Sequence, residues 1–367
     1  MSDFDDLSEE VDRGMSGANV GIPMGFNRLN NHVTIRKHNN YLIGGFTGTG
    51  KSSILDDAFV LNPIDFILRN RDNPNIPKLE IVYWSMERPK KFKLIKWIAR
   101  KIFLDEGRII PVNRWMGWVP PQHRITSEER DIFNRYEEYI SAILEIVHFK
   151  DDYMEHNPTG MRNFMRDTFF PARGRIETWE ENGVKHREYI PNDPTKIILN
   201  ITDHLGKIRR EKNLSNRKEI VDKCSEDKSY WRDFYGCSSI DISQFNRDIS
   251  NPTRIKNGDV EPMLEDFKDS GNTAEDADVV ISLFDPMRYK VPDPGGYDLT
   301  KLNLDQGKKK YRSLRILKNS YGTDDVRIGL AFQPEIGLFA EMPKRDIITP
   351  AHYDSITDNT YFLPHNH

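Results

Sequence analysis

The chain has 367 residues, 37% of them hydrophobic and 30% charged, with a formal net charge of −4. That length suits one large α/β domain with insertions or two small ones; no apolar run is long enough to span a bilayer, and a net acidic chain can meet nucleic acid only through local basic clusters. Cys224 and Cys237 make neither a disulfide framework nor a metal site, and read as buried thiols in a reducing compartment.

The N-terminus, Met1-Ser2-Asp3-Phe4-Asp5-Asp6, is acidic and has no apolar core of a signal peptide. Residues 1–16 read as a short amphipathic helix or a loose arm. Gly21-Ile22-Pro23-Met24-Gly25-Phe26, with Leu29, suggests a tight turn packed on the core. Tyr41 to Gly44 can end a buried strand, and Ser53 to Val60 can begin a helix. Between them, Gly45-Phe46-Thr47-Gly48-Thr49-Gly50-Lys51-Ser52 matches G-x-x-x-x-G-K-[ST], a P-loop. Glycines let backbone N–H groups approach phosphate oxygens, and the helix N-terminus adds partial positive charge. The expected nucleotide cradle is Gly45, Thr47, Gly48, Thr49, Gly50, Lys51, Ser52 and Ser53. Lys51 would reach the β- and γ-phosphates of ATP, and Ser52 would ligate Mg²⁺.

Leu79 to Ser85 reads as a buried strand that ends in Met86-Glu87-Arg88-Pro89. A carboxylate at the C-terminal end of a strand beside a P-loop can act on a water near the γ-phosphate, so Glu87 is the candidate base. Lys90 to Leu104 has helical spacing, and its lysines, Lys90, Lys91, Lys93 and Lys96, are expected on a solvated face. A Pro/Trp-rich loop follows (Pro111 to Pro121). Thr126 and Glu129 form a capping-box pattern for a helix carrying Ile132, Tyr136, Ile140 and Ile143. Glu145 to Lys150 can be a strand, and 159–170 looks helical. Ile176 to Glu181, Asn182-Gly183 and Val184 to Ile190 read as a β-hairpin inserted around residues 173–192.

Lys196 to His204 is an apolar strand ending in Asp203, a second candidate ligand for the Mg²⁺ shell. The densest basic patch follows: Lys207, Arg209, Arg210 and Lys212, then Arg217 and Lys218. Ser238 to Gln244 is another strand, whose terminal amide could sense the γ-phosphate. Arg254 and Lys256 lie in a second polar loop. Strands are expected at Val279 to Phe284 and Leu314 to Leu317, and a hairpin at Val326 to Phe332 with Gly337 to Glu341. The tail from Pro343 shows no periodicity and is expected to be peripheral.

Six ordered segments together resemble the RecA-like motor domain of DnaB-family replicative ring helicases and their phage relatives, from about Gly17 to Phe339. Gly21 to Phe26 resembles G-I-P-T-G-F, and Ser85-Met86-Glu87 resembles S-L-E. Asp203-His204-Leu205 is similar to D-Y-L, and Asn216 to Ile220 to the segment after the first DNA loop. Ser243-Gln244-Phe245-Asn246-Arg247 resembles S-Q-L-N-R, and Asp266 to Asp278 resembles D-L-R-E-S-G-x-I-E-Q-D-A-D. The resemblance implies an α/β, RecA-like P-loop NTPase: a mostly parallel central sheet flanked by helices, here with a β-hairpin insertion. The expected organisation is an acidic arm (1–16), a motor domain (17–342) and a C-terminal tail (343–367).

It further implies an ATP-driven DNA helicase, with ATP and Mg²⁺ held between the subunits of a homo-hexamer and Glu87, Lys51, Gln244 and Lys318 in catalysis. Single-stranded DNA would run through two pore loops, 206–217 and 248–262, contacted by Lys207, Arg209, Arg210, Arg254 and Lys256. A host-cytoplasmic location and no membrane association are expected. About 16 residues precede the resemblance, so a primase or loader contact is not assumed.

The main departure is Lys318-Asn319-Ser320-Tyr321-Gly322, where the family has K-x-R-x-G. The lysine is kept, but the arginine finger position is Ser320. Arg288, Arg312, Arg315 and Arg327 are candidate substitutes; simple strand alternation puts Arg315 on the face opposite Lys318. The competing reading is a RecA-fold ATP- and DNA-binding assembly or loading factor with slow hydrolysis.

Overall fold

In a computed structural model, the structure describes residues 3–17, 19–214, 216–246, 249, 251–257, 259–267, 271–302 and 310–363. Arg247 of the S-Q-L-N-R match, Lys268 to Ser270 of the Asp266–Asp278 match, and positions 215, 248, 250 and 258 of the two loops lie outside them. The strands are β1 (Asn40–Gly45), β2 (Leu79–Ser85), β3 (Val147–Lys150), β4 (Gly174–Glu181), β5 (Val184–Pro191), β6 (Ile197–Asp203), β7 (Ser238–Gln244), β8 (Val279–Phe284), β9 (Tyr311–Asn319), β10 (Arg327–Gln333) and β11 (Leu338–Glu341). Nine of them form one sheet in the order β11-β10-β9-β8-β1-β7-β6-β2-β3. The six from β8 to β3 are parallel, and β9 to β11 add an antiparallel edge.

All six residues of β1 and all seven of β2 and β6 are buried, as runs with helices on both faces should be. On one face Ile43, Ile81, Leu199, Ile242 and Ile281 pack with Ile54, Leu55 and Phe59. These last come from the P-loop helix, which runs Lys51–Asp56, takes a π turn at Asp57–Leu61, and continues as Asn62–Arg69. On the other face Leu42, Val82, Trp84, Ile198 and Val280 meet Ile220, Val221, Cys224 and Trp231 of the helix Arg217–Tyr235. The cysteines are free and buried, and burial pushes the Cys224 thiol up to about 12.

The Ile22–Leu29 segment packs into the core, and the Thr126–Glu129 capping box forms. The hairpin turns at Asn182 and Gly183, both at positive φ (52° and 77°), the geometry that suits paired strands. Its Tyr189 packs on Phe170 and Tyr235.

Four sequence expectations are corrected. The helix opened by Thr126 ends at Asn134, and Glu137–Ile146 is a second helix; Tyr136 lies in the break. The tail is not peripheral. Pro350–Asp358 is a helix, and Tyr353, Ile356, Tyr361 and Phe362 are buried with Phe103, Tyr297 and Tyr311. Its apolar residues are few but large, so they seal a cluster without setting a period. Lys93 is buried and Lys96 is partly so, because the face that carries them meets aspartates and a serine. Finally, Arg315 pairs with Ser282 and Lys318 with Val280, across a register shift at Val280/Ile281. Residues two apart in β8 share a face, so Arg315 and Lys318 do too.

β1 must come close to Phe245 and Phe267 for the P-loop to follow. A Cβ on Gly44 would collide with both rings. Gly44→Ala should therefore lose about 1–3 kcal/mol of stability through overpacking. An unchanged denaturation midpoint would contradict this packing.

Candidate active site

The P-loop closes on one carbonyl. Phe46 O accepts from the Thr49 hydroxyl at 2.8 Å, from the Lys51 ammonium at 2.9 Å and from the Thr49 N–H at 3.3 Å. Gly48 (φ 82°) and Gly50 (φ 98°) hold conformations that side chains disfavour, and Gly50 caps the helix. A Cβ on Gly45 would lie 2.8 Å from the Thr49 hydroxyl. Gly45, Thr47, Gly48, Thr49, Gly50, Lys51, Ser52 and Ser53 thus form one turn at the C-terminal edge of the parallel strands. That edge is where an α/β sheet binds ligands.

β6 brings its last residue to the same place. The Ser52 hydroxyl donates to Asp203 Oδ1 at 2.9 Å. β2 pairs with β6 so that Ser85 lies opposite Asp203, which sets Glu87 at the rim, with its side chain 42% exposed. His204 Nε2 stands 3.9 Å from Glu87 Oε2, while His204 Nδ1 accepts from the Gly206 N–H. β7 pairs with β1 so that Gln244 lies opposite Gly45. Burial lowers the Lys51 pKa to about 8; Glu87 and Asp203 oppose that shift and Arg288 adds to it.

Beneath this edge lies a group that sequence reading placed in solvent. Lys93, 5% exposed, sets its ammonium 2.8 Å from Asp203 Oδ2 and 3.1 Å from Asp56 Oδ1. The Tyr83 hydroxyl donates to Asp56 Oδ1 at 2.9 Å. Burial alone would push the Lys93 ammonium down, but Asp203 and Asp56 outweigh it and the net shift is upward. Burial would likewise raise Asp203, yet Lys93 and Ser52 hold it below the usual carboxylate range. Two further cations on the same helix, Lys90–Glu106, extend the contact. Lys96 donates to the Ser53 hydroxyl at 2.7 Å, and Arg100 pairs with Asp57 at 2.5 Å.

The remaining candidates are more scattered. Lys318 donates to Glu275 O at 2.5 Å, beside the start of β8, whereas the P-loop follows the other end of β1. Lys318 therefore does not reach its own chain's P-loop. Of the loop cations, Lys207, Arg210 and Lys256 are exposed. Arg209 donates to Tyr153 O at 3.0 Å and lies over the Tyr153 ring. Arg254 bridges both oxygens of Asp266 at 2.6 and 3.2 Å. Among the four arginines raised as finger substitutes, Arg312 donates to Thr49 O at 2.8 Å and Arg288 to Thr47 O at 2.9 Å, both on this chain's own P-loop. Arg315 and Arg327 share Glu261 and Asp325.

Residues 178–341 match the family model of the DnaB-like helicase C-terminal domain. The matched stretch includes Asp203, Gln244, both loops and Lys318; the P-loop and Glu87 precede it. The fold as a whole is similar to the solved ATPase domain of a phage helicase: TM-score 0.65 at 18% identity, covering 94% of this chain and 100% of that one. It is also similar to a DnaB-like replicative helicase described with its interactions with primase: TM-score 0.63 at 18% identity, covering 94% of this chain and 67% of that one. At such identity the likeness is one of fold, and the fold is RecA-like. No curated protein matches the sequence.

Lys93→Met should cost about 3–5 kcal/mol, because two buried carboxylates lose their counter-ion. The double change Lys93→Met with Asp56→Asn removes one charge of each sign and should recover most of that loss. Chemical denaturation of both variants checks it; equal losses would argue against an electrostatic origin.

Proposed function

We propose that this chain is the ATP-hydrolysing motor of a DNA helicase that works on single-stranded DNA as a ring of six copies. The observation that carries this reading is the Ser52–Asp203 contact at the sheet edge, with Lys51 on one side and Glu87 on the other. Ser52 and Asp203 offer hard oxygen ligands to a divalent ion, and a Mg²⁺ there would neutralise phosphate charge. Among the described residues no cluster of three or more His, Cys, Asp or Glu is gathered for a metal, so the other ligands would be water and phosphate oxygens.

In this scheme the P-loop N–H groups and Lys51 bind the phosphates. Glu87, exposed at the rim, orients the attacking water and accepts its proton. Gln244 ends β7, the strand next to β1, opposite Gly45, and would sense the terminal phosphate. Lys318, turned away from its own P-loop, would serve the nucleotide of the neighbouring copy. Lys207, Arg210 and Lys256 are the loop charges free to track a phosphate backbone. Arg209 and Arg254 instead shape the loops that present them. No helix is long and apolar enough to cross a membrane among the described residues.

One observation favours a second reading, an ATP- and DNA-binding assembly factor with slow hydrolysis. Ser320 stands where the resemblance leads one to expect an arginine. Steady-state ATPase with and without single-stranded DNA, run beside strand displacement on a forked duplex, separates the two. DNA-stimulated turnover with displacement supports the motor. Tight ATP binding with negligible turnover supports the factor.

Lys51→Ala should abolish hydrolysis. Glu87→Gln should keep ATP binding and lower kcat by about 10²–10⁴; wild-type turnover in Glu87→Gln would remove it from the role of base. Replacing Lys207 and Arg210 by Ala should weaken single-stranded DNA binding evenly across sequences. The slope of log K against log salt should fall by about 0.7 for each lost phosphate contact. An unchanged slope would place the DNA path elsewhere.

A further inference from the structure

Arg288 sits in the short turn Pro286–Tyr289, directly after β8. The Asp285 carboxylate accepts from the Arg288 N–H at 3.2 Å, which closes the turn. The Tyr289 ring stacks on Phe284 with centroids 5.7 Å apart and lies 5.6 Å from the Phe46 ring. The turn is therefore packed against the P-loop itself. From it the Arg288 guanidinium reaches over the loop, donating to Thr47 O at 2.9 Å and standing 5.4 Å from the Phe46 ring centroid.

Two things set this arginine apart from Arg312. Arg312 is 3% exposed and anchors the loop from within, with Asp285 at 3.6 Å. Arg288 is exposed, and among the described residues no carboxylate pairs with it. Lys51 and Arg288 both donate to carbonyls of the same loop, Phe46 O and Thr47 O. Two cations facing one glycine loop are mutually repulsive until an anion enters between them. A guanidinium matches phosphate oxygens with paired donors.

We propose that Arg288 contacts the terminal phosphates of the ATP bound by its own chain, so that a guanidinium is supplied in cis. The inference rests on the reading of the P-loop as an ATP site. The test therefore has a binding arm that does not need turnover. Fluorescent ATPγS and ADP are titrated into wild type, Arg288→Ala and Arg288→Lys, and steady-state ATPase is measured on each. Arg288→Ala should weaken ATPγS binding by about 10-fold or more and ADP binding by less than about twofold. It should lower kcat by about 10²–10³. Arg288→Lys should recover part of both. Equal losses for the two nucleotides, or no loss for either, would overturn the proposal.

Mixing then separates cis from trans. Arg288→Ala subunits are combined with Lys51→Ala subunits, which keep Arg288 but cannot hydrolyse. No recovery of activity is expected. Recovery would show that Arg288 serves a neighbour's nucleotide and would overturn the cis assignment. A wild type that binds ATPγS but does not turn over ATP would count against the motor reading alone, and the binding arm would still decide on Arg288.

Discussion

The structure depends on one buried ammonium. Lys93 joins three elements that the backbone alone would leave independent: the helix it stands on, the P-loop helix through Asp56, and β6 through Asp203. Two carboxylates at the centre of an α/β sandwich are tolerable only when a cation compensates them and the remaining lone pairs find donors. Tyr83 and Ser52 supply those donors. The consequence for the edge above is geometric. Asp203 keeps one oxygen on Lys93 and presents the other to Ser52, so its orientation is set before any ligand arrives. Preorganisation of this kind spares the site a reorganisation cost during reaction.

The same logic repeats along the helix Lys90–Glu106. Lys93, Lys96 and Arg100 are spaced to share a helix face. They meet Asp56, Ser53 and Asp57 of the P-loop helix. Glu87 lies three residues before that helix begins. A displacement of the rim carboxylate would therefore be felt by the helix that carries the phosphate loop. Gly337 is part of the fit, since a Cβ there would collide with the end of Lys96.

What could be read in advance follows from which constraints are local. The P-loop, the strand ends at Glu87, Asp203 and Gln244, and the Asn182-Gly183 turn are all set by backbone conformation within a few residues. Their spelling is accordingly restrictive. Lys93 gave no such signal, because a lysine within an amphipathic pattern looks solvated unless its partner is known. A signal did exist on the partner's side. Asp56 and Asp57 sit in the stretch from Ile54 to Leu61, otherwise apolar, where buried acids require cations. The bulge in β9 was also invisible, since nothing in Leu314 to Lys318 marks the shifted residue, and with it went the facing of Arg315. The tail lacks a signal for a different reason. Tyr353, Ile356, Tyr361 and Phe362 cover a cluster by bulk, without a repeating spacing.

The placement of the cations bears on how many copies of the chain a complete site needs. Lys51, Arg288 and Arg312 all address the chain's own P-loop, from its helix, from the turn after β8 and from the start of β9. Lys318 leaves β9 nearer the opposite end, where it is held by carbonyls of the helix Gly271–Asp276. A strand that offers one cation at each end can serve two nucleotides only if copies stack edge to edge. On the proposed reading, ground-state binding of ATP is then a property of one chain, while Lys318 responds to a neighbour. Hydrolysis in such an arrangement would depend on concentration less steeply than in a site whose guanidinium comes from across the interface, because the larger share of the phosphate charge is already met in cis.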